Sequence, residues 1–312
     1  MSNDEVEPNV ISSMKLYDIP ILCLNMKQSI DRKNRMNERF QLKGLSKNVT
    51  FVEAVEAESS LVDYYLANLS IEDVKEIYSS NSQGRKDAAC FATHMKAIRT
   101  FLEMVDKNGC IICEDDILFH NDFETMYSEV MANLPENAPL ISFAWMISDS
   151  IDQTFVGINP EKNNLWNIDP DVTWGAQCYY INTGYALNVL MHLDQSFITL
   201  MEEHERNKMT SEIIIQLSDG YMVSHPLVIE DCIDSDRAPQ DIPFHVRHWC
   251  HWNYDNYLQS DPNRFSPLKE IPPTEGWDDY PFCIETDESY EISDTDYDSN
   301  TSDGEGNYDE LR

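Results

Sequence analysis

The chain has 312 residues, 42% of them hydrophobic, with 22 basic against 56 acidic side chains and a net charge of -34. Length and apolar content suit one large domain or two small ones with a substantial core, and no run of eighteen apolar residues offers a transmembrane segment. So acidic a chain repels phosphate-rich nucleic acid, and its start, Met1-Ser-Asn-Asp-Glu-Val-Glu-Pro8, lacks the basic and apolar regions of a secretory signal, which points to a cytoplasmic protein.

In chain order, residues 1–17 read as a flexible polar leader and Ile19 to Asn25 as a buried strand. Ser29 opens a basic helix reaching about Lys43, and Val49 to Val55 is a second strand. Leu61 to Tyr78 has apolar residues at helical spacing, residues 79–87 form a polar mobile loop, and Ala88 to Val105 is another long helix. That helix leads into the strand Ile111-Ile112-Cys113, and the order β-α-β-α-α-β predicts a mostly parallel sheet flanked by helices. A helix over Asp122–Leu134 and a strand over Pro139–Ile147 follow, with residues 148–171 as an excursion at the sheet edge. Val172–Ile181 reads as a strand, Thr183–Leu193 as a helix, Glu212–Leu217 as a helix end, and Tyr221–Ile229 as the strand that closes the sheet. Beyond Asp231 the Pro, Asp and Trp content predicts an irregular wrap of the same domain, which extends over 18–284. Residues 285–312 hold eleven acids and one base, too little apolar surface to offset the entropy of ordering, and read as a disordered acidic tail. The eight cysteines are scattered singly, as buried thiols are, rather than in a disulfide framework.

Chemistry is densest at Glu114-Asp115-Asp116, three carboxylates directly after a buried strand. Ligands of open α/β sheets collect beyond the carboxyl ends of such strands. Adjacent carboxylates repel one another unless a cation intervenes, and oxygen ligands suit Mg²⁺ or Mn²⁺, the ions that hold diphosphates. The same pattern also describes a solvated strand end entering a turn. Asn25 at the first strand's tip can hydrogen-bond a base or ribose, and Arg32 and Arg35, one turn apart, can grip phosphate oxygens, although a basic helix face is commonly only solvated. Trp174 and the cluster His248–Trp252 offer flat faces for a sugar or for core packing.

These residues carry a resemblance. Leu24-Asn-Met-Lys-Gln-Ser-Ile-Asp-Arg32-Lys-Asn-Arg35-Met36 resembles the opening signature of glycosyltransferase family 25, and Phe51-Val-Glu-Ala-Val55 the next block. Ala89-Cys90-Phe-Ala-Thr93-His94 resembles the family's G-C-x-x-S-H, and Cys113-Glu-Asp-Asp-Ile117 its L-E-D-D-V. Tyr180-Ile-Asn-Thr-Gly184-Tyr-Ala186 and His225-Pro226-Leu-Val228 resemble the last two blocks. Ala89, Thr93 and Asp87 depart from the family's Gly, Ser and Glu, and Thr93 keeps the hydroxyl.

The resemblance implies a GT-A type domain that binds a UDP-sugar through Mn²⁺ or Mg²⁺ and transfers a hexose, galactose or glucose, to a glycan or protein hydroxyl with inversion. It assigns Asp116 to the metal and Glu114 to ribose or the metal, leaves Asp115 at the donor site without a fixed role, and adds His225 as a third metal ligand, with His245 and His248 as rivals. Asn25, Arg32 and His94 belong to its donor pocket, with Arg85 reaching the diphosphate from the mobile loop. Glu212 is the expected general base, with Glu230 and Asp231 as rivals. The competing reading is a non-catalytic binding module of the same fold that uses its acidic tail for partners. A dehalogenase-type phosphotransferase is set aside, because Leu118 stands where that motif needs Thr.

Overall fold

The computed structural model describes residues 15–67, 82–145, 165–168, 173, 175–191, 211, 213–231 and 254–261. The strands are β1 (Ile21–Asn25), β2 (Val49–Glu53), β3 (Gly109–Cys113), β4 (Ile117–Phe119), β5 (Leu140–Ser142), β6 (Leu165–Asn167), β7 (Cys178–Asn182), β8 (Tyr221–Val223) and β9 (Val228–Glu230). The helices used below are α1 (Ile30–Leu42), α2 (Ser60–Ala67), α3 (Ser82–Leu102) and α4 (Phe123–Asn133). Residues 183–191 are also helical.

Seven strands form one sheet in the order β2-β1-β3-β7-β5-β8-β6, and β4 pairs with β9 in a separate two-stranded sheet. Parallel pairing joins β1 to β2 and β3, and β5 to β8, while β7 and β6 run against their neighbours. Five of the seven strands therefore point the same way, giving a mostly parallel α/β sheet.

Side-chain alternation explains why both faces of this sheet are covered. Ile21, Cys23, Ile111, Cys113, Cys178, Tyr180 and Ile141 enter one core with Met36 and Phe40 of α1 and Tyr127 and Val130 of α4. Their neighbours Leu22, Leu24, Cys110, Ile112, Tyr179 and Ile181 enter the other with Tyr65 of α2 and Phe91, Met95 and Ile98 of α3. Successive strand residues point to opposite faces, so runs that are apolar throughout must be buried twice. β1, β3 and the first four residues of β7 are buried accordingly. Cys110 and Cys113 face different cores as their offset requires, and the described cysteines are free thiols.

Several boundaries differ from the sequence reading, each for a local reason. Residues 82–87 belong to α3 rather than to a loop, and the remainder of that loop and of the helix toward Tyr78 lies outside the described residues. β7 starts only at Cys178, because Gly175 turns the chain at φ +97. It runs antiparallel, which a doubly buried Tyr/Ile run cannot reveal. The single strand expected over Tyr221–Ile229 divides at Pro226, which has no N–H for a ladder. Its first half pairs with β5 and β6, and its second half with β4. The sheet edge is consequently β6, drawn from the excursion after β5. Gly44, at φ +70, ends α1, with the Leu45 N–H donating to Phe40 O at 2.8 Å. The acidic tail lies outside the described residues.

Candidate functional site at the acidic turn

Residues 114–116 occupy the turn where the chain leaves β3 in the large sheet and enters β4 in the small one. The Glu114 N–H donates to Gln177 O at 2.8 Å, and the Asp231 N–H to Asp116 O at 2.6 Å, so backbone bonds to the residue before β7 and from the residue after β9 fix the turn from both sides. Parallel pairing of β1 with β3 brings Asn25 to the same end of the sheet.

Asn25 Nδ2 donates to Asp115 Oδ2 at 2.6 Å and to Ser29 O at 3.1 Å. In the first turn of α1, Arg32 Nη2 lies 2.8 Å from Asp115 Oδ1 and 2.5 Å from Asp116 Oδ2. The expected association of Asn25, Arg32 and the acids is thus present, with the arginine engaged by carboxylates. Asp116 Oδ1 is buried and has no hydrogen-bond partner. Burial raises the Asp115 pKa to about 6, against the pull of Arg32 and Asn25 and with Glu114 and Asp231 adding to the rise. Asp116 is raised well above the usual carboxylate range, again by burial first, with Arg32 opposing and Glu114, Glu230 and Asp115 adding. At both carboxyls the cost of burying charge outweighs the attraction of the single guanidinium.

Farther along the same helix the balance differs. Arg39 Nη1 donates to Asp231 Oδ2 at 2.8 Å and to Ile117 O at 3.1 Å, and Arg35 Nε lies 3.8 Å from that carboxylate oxygen. Asp231, fully buried, is committed to this pairing. Glu230 faces Gln177, whose Nε2 donates to Glu230 Oε1 at 2.5 Å.

Glu114 turns toward α3. Its Oε1 is 3.4 Å from His94 Nε2 and 4.0 Å from Cys90 Sγ. His94 Nδ1 is 3.0 Å from the Tyr179 hydroxyl, and the two rings stack. Burial would lower the His94 pKa, but hydrogen bonds and charge from Cys90 and Glu114 outweigh it and raise it to about 9. Thr93, in the family's Ser position, accepts the Val55 N–H at 2.9 Å and so ties α3 to the end of β2. Cys90 and Gln177 carried no role in the sequence reading. The i, i+4 spacing of Cys90 and His94 was visible as one helix face, whereas the meeting of Gln177 with the turn depends on β7 running antiparallel.

Other expected members lie elsewhere. Arg85 is on α3 and donates to Ala57 O at 3.1 and 2.7 Å and to Asp63 Oδ1 at 2.9 Å, so it braces α3 against α2 instead of entering a phosphate site from a loop. The β4–β9 register pairs Ile117 with Glu230 beside the acids and Phe119 with Val228 at the other end. His225 lies beyond that far end, its ring 5.8 Å from that of His120. Among the described residues it does not join Asp116 and Glu114 in one group of metal-ligating side chains. Among the described residues, the cluster of three metal-ligating side chains is Cys90, His94 and Glu114. Glu212, Trp174, His245 and His248–Trp252 lie outside the described residues.

The fold and the acid turn define a Rossmann-like α/β protein whose candidate site stands where such sheets collect ligands. The family model of glycosyltransferase family 25, described as LPS biosynthesis protein, matches residues 18–202. The chain belongs to this family, and as a glycosyltransferase it takes a sugar donor and an acceptor. No curated protein matches it. No helix among the described residues is long and apolar enough to cross a membrane.

Proposed function

We propose that this chain is a metal-dependent, inverting hexosyltransferase that moves galactose or glucose from UDP to a hydroxyl of a glycan or protein acceptor. The observation that carries the reading is the unfinished charge set around Asp116. Two carboxylates share one guanidinium, and a buried Asp116 oxygen has no hydrogen-bond partner. An oxygen donor with that deficit fits a hard divalent cation such as Mn²⁺ or Mg²⁺. Such a cation would supply charge stabilisation for the departing diphosphate, which a protein of net charge -34 otherwise repels.

The protein's own groups supply the rest. Arg32 and Asn25 hold Asp115 and Asp116 in place, and the backbone bonds from Gln177 and Asp231 fix the turn. Inversion needs one carboxylate to take the acceptor's proton as its oxygen attacks the anomeric carbon from the face opposite UDP, which leaves with the bonding electron pair. Glu212 is assigned this role from the family resemblance. Glu230 is its rival, lying beside the acids and positioned by Gln177, whereas Asp231 is removed from contention by Arg39.

Thermal unfolding with UDP, with and without Mn²⁺, tests the reading. The expected result is a metal-dependent rise in Tm that disappears in Asp116→Ala, followed by UDP release from one of several UDP-hexoses. A chain that no nucleotide stabilises is a binding module, and the enzyme reading falls.

A further inference from the structure

Cys90, His94 and Glu114 stand apart from the arginine-bound acids. Cys90 and His94 project from one face of α3, and Glu114 reaches them from the end of β3, with one donor atom from each lying within 4.8 Å of the others. The 3.4 Å between His94 Nε2 and Glu114 Oε1 is long for a hydrogen bond. It is close to the separation of about 3.3 Å that two ligands about 2.0 Å from a tetrahedral metal must adopt. The 4.0 Å between Cys90 Sγ and Glu114 Oε1 is wider than the ~3.5 Å that the longer metal–sulfur bond gives, a difference one side-chain rotation closes. The other ring nitrogen of His94 already faces the Tyr179 hydroxyl at 3.0 Å, the outer partner that orients a ligating imidazole. Ser211 Oγ lies 3.5 Å from Cys90 Sγ.

From this arrangement we infer that Cys90 Sγ, His94 Nε2 and Glu114 Oε1 form a Zn²⁺ site, separate from the hard-cation site proposed at Asp116. Thiolate, imidazole and carboxylate together are a borderline-soft set that selects zinc over magnesium or manganese. On binding, the Cys90 thiol and the His94 imidazolium each give a proton to solvent, and the ion is met by a thiolate sulfur and a neutral imidazole nitrogen. The ion pins α3 to the end of β3 and removes the negative charge of Glu114 from beside Asp115 and Asp116. Its fourth position is left to water or Ser211.

Cobalt reports the site directly. Full-length protein stripped with a chelator is titrated with Co²⁺ alone, then with Zn²⁺. The wild type is expected to show a near-ultraviolet thiolate-to-cobalt band and tetrahedral visible bands that saturate at one equivalent and vanish on adding Zn²⁺. Cys90→Ser loses the near-ultraviolet band, and His94→Gln weakens Co²⁺ binding by about tenfold or more. Asp116→Asn keeps both bands while losing the Mn²⁺-dependent response to UDP, so this site and the donor site stand or fall separately. Absence of a thiolate band in the wild type, or the same band in Cys90→Ser, overturns the assignment. Should the variants not fold, a wild-type Tm that Zn²⁺ leaves unchanged overturns it equally.

Discussion

The two ends of α1 handle buried acid in opposite ways. Near its C-terminus Asp231 is met by Arg39 at 2.8 Å and by Arg35 at 3.8 Å, two cations to one carboxylate. Near its N-terminus Arg32 alone is shared between Asp115 and Asp116, one cation to two carboxylates. The first is a structural pair, with cation in excess, that fastens α1 to the end of β9. The second keeps an oxygen without a partner, and perturbed acids of this kind cluster where chemistry is done. Surplus anion, more than burial, distinguishes the N-terminal end of this helix, where the proposed donor site lies, from its anchoring end.

That contrast can be broken from the anchoring end first. Arg39→Met leaves Asp231 buried beside the more distant Arg35, and is expected to cost about 3–5 kcal/mol in a urea melt. Adding Asp231→Leu should recover most of the loss, since a matched apolar pair replaces a buried ion pair at little cost. At the other end, Asp116→Asn should lower UDP-hexose turnover by about 100-fold or more, a loss of about 3 kcal/mol in transition-state stabilisation, while leaving the melt unchanged or slightly improved. A melt as damaged as that of Arg39→Met would make Asp116 structural.

A smaller effect is expected from pH. Asp115 is raised from 3.8 to about 6 in the folded chain, so its contribution to stability is complete below 3.8 and is lost as pH rises through about 6. The metal-free protein should lose about 1–3 kcal/mol across that window, and Asp115→Asn should flatten the profile. A profile that rises instead would mean that Arg32 dominates burial at this carboxylate. The smallest effect is Arg85→Met. Its bond to the exposed Asp63 carboxylate is worth under about 1 kcal/mol, and donor KM should barely move. An increase of about tenfold in that KM would restore Arg85 to the phosphate site.

The sequence disclosed the strand that ends in acids, the helix carrying Arg32, and their convergence with Asn25, because doubly buried runs and i, i+3 spacing are local signals. It did not disclose that Glu114 turns away from Asp115 and Asp116 toward Cys90 and His94. Which face each residue of a turn takes depends on the chain leaving the sheet for β4, which no periodicity records. His225 was misplaced for a related reason. A histidine three residues before a strand is legible as a motif, but its separation from Asp116 follows from the β4–β9 register. Arg85 was misread because its surrounding polar residues resemble a loop, whereas the apolar side of α3 continues through Ala88, packed on α2's core, and carries the helix back to Ser82.

The small β4–β9 sheet joins residues more than a hundred positions apart, and β9 lies beyond residue 202, where the family match stops. A fragment cut at that boundary would leave the β4 edge open to pairing with other chains and Arg39 buried without its carboxylate. During synthesis the same holds for every nascent chain until Asp231 has emerged. Competence to hold a donor is therefore acquired late, and expression trials that trim the chain to the recognisable family segment should yield aggregates.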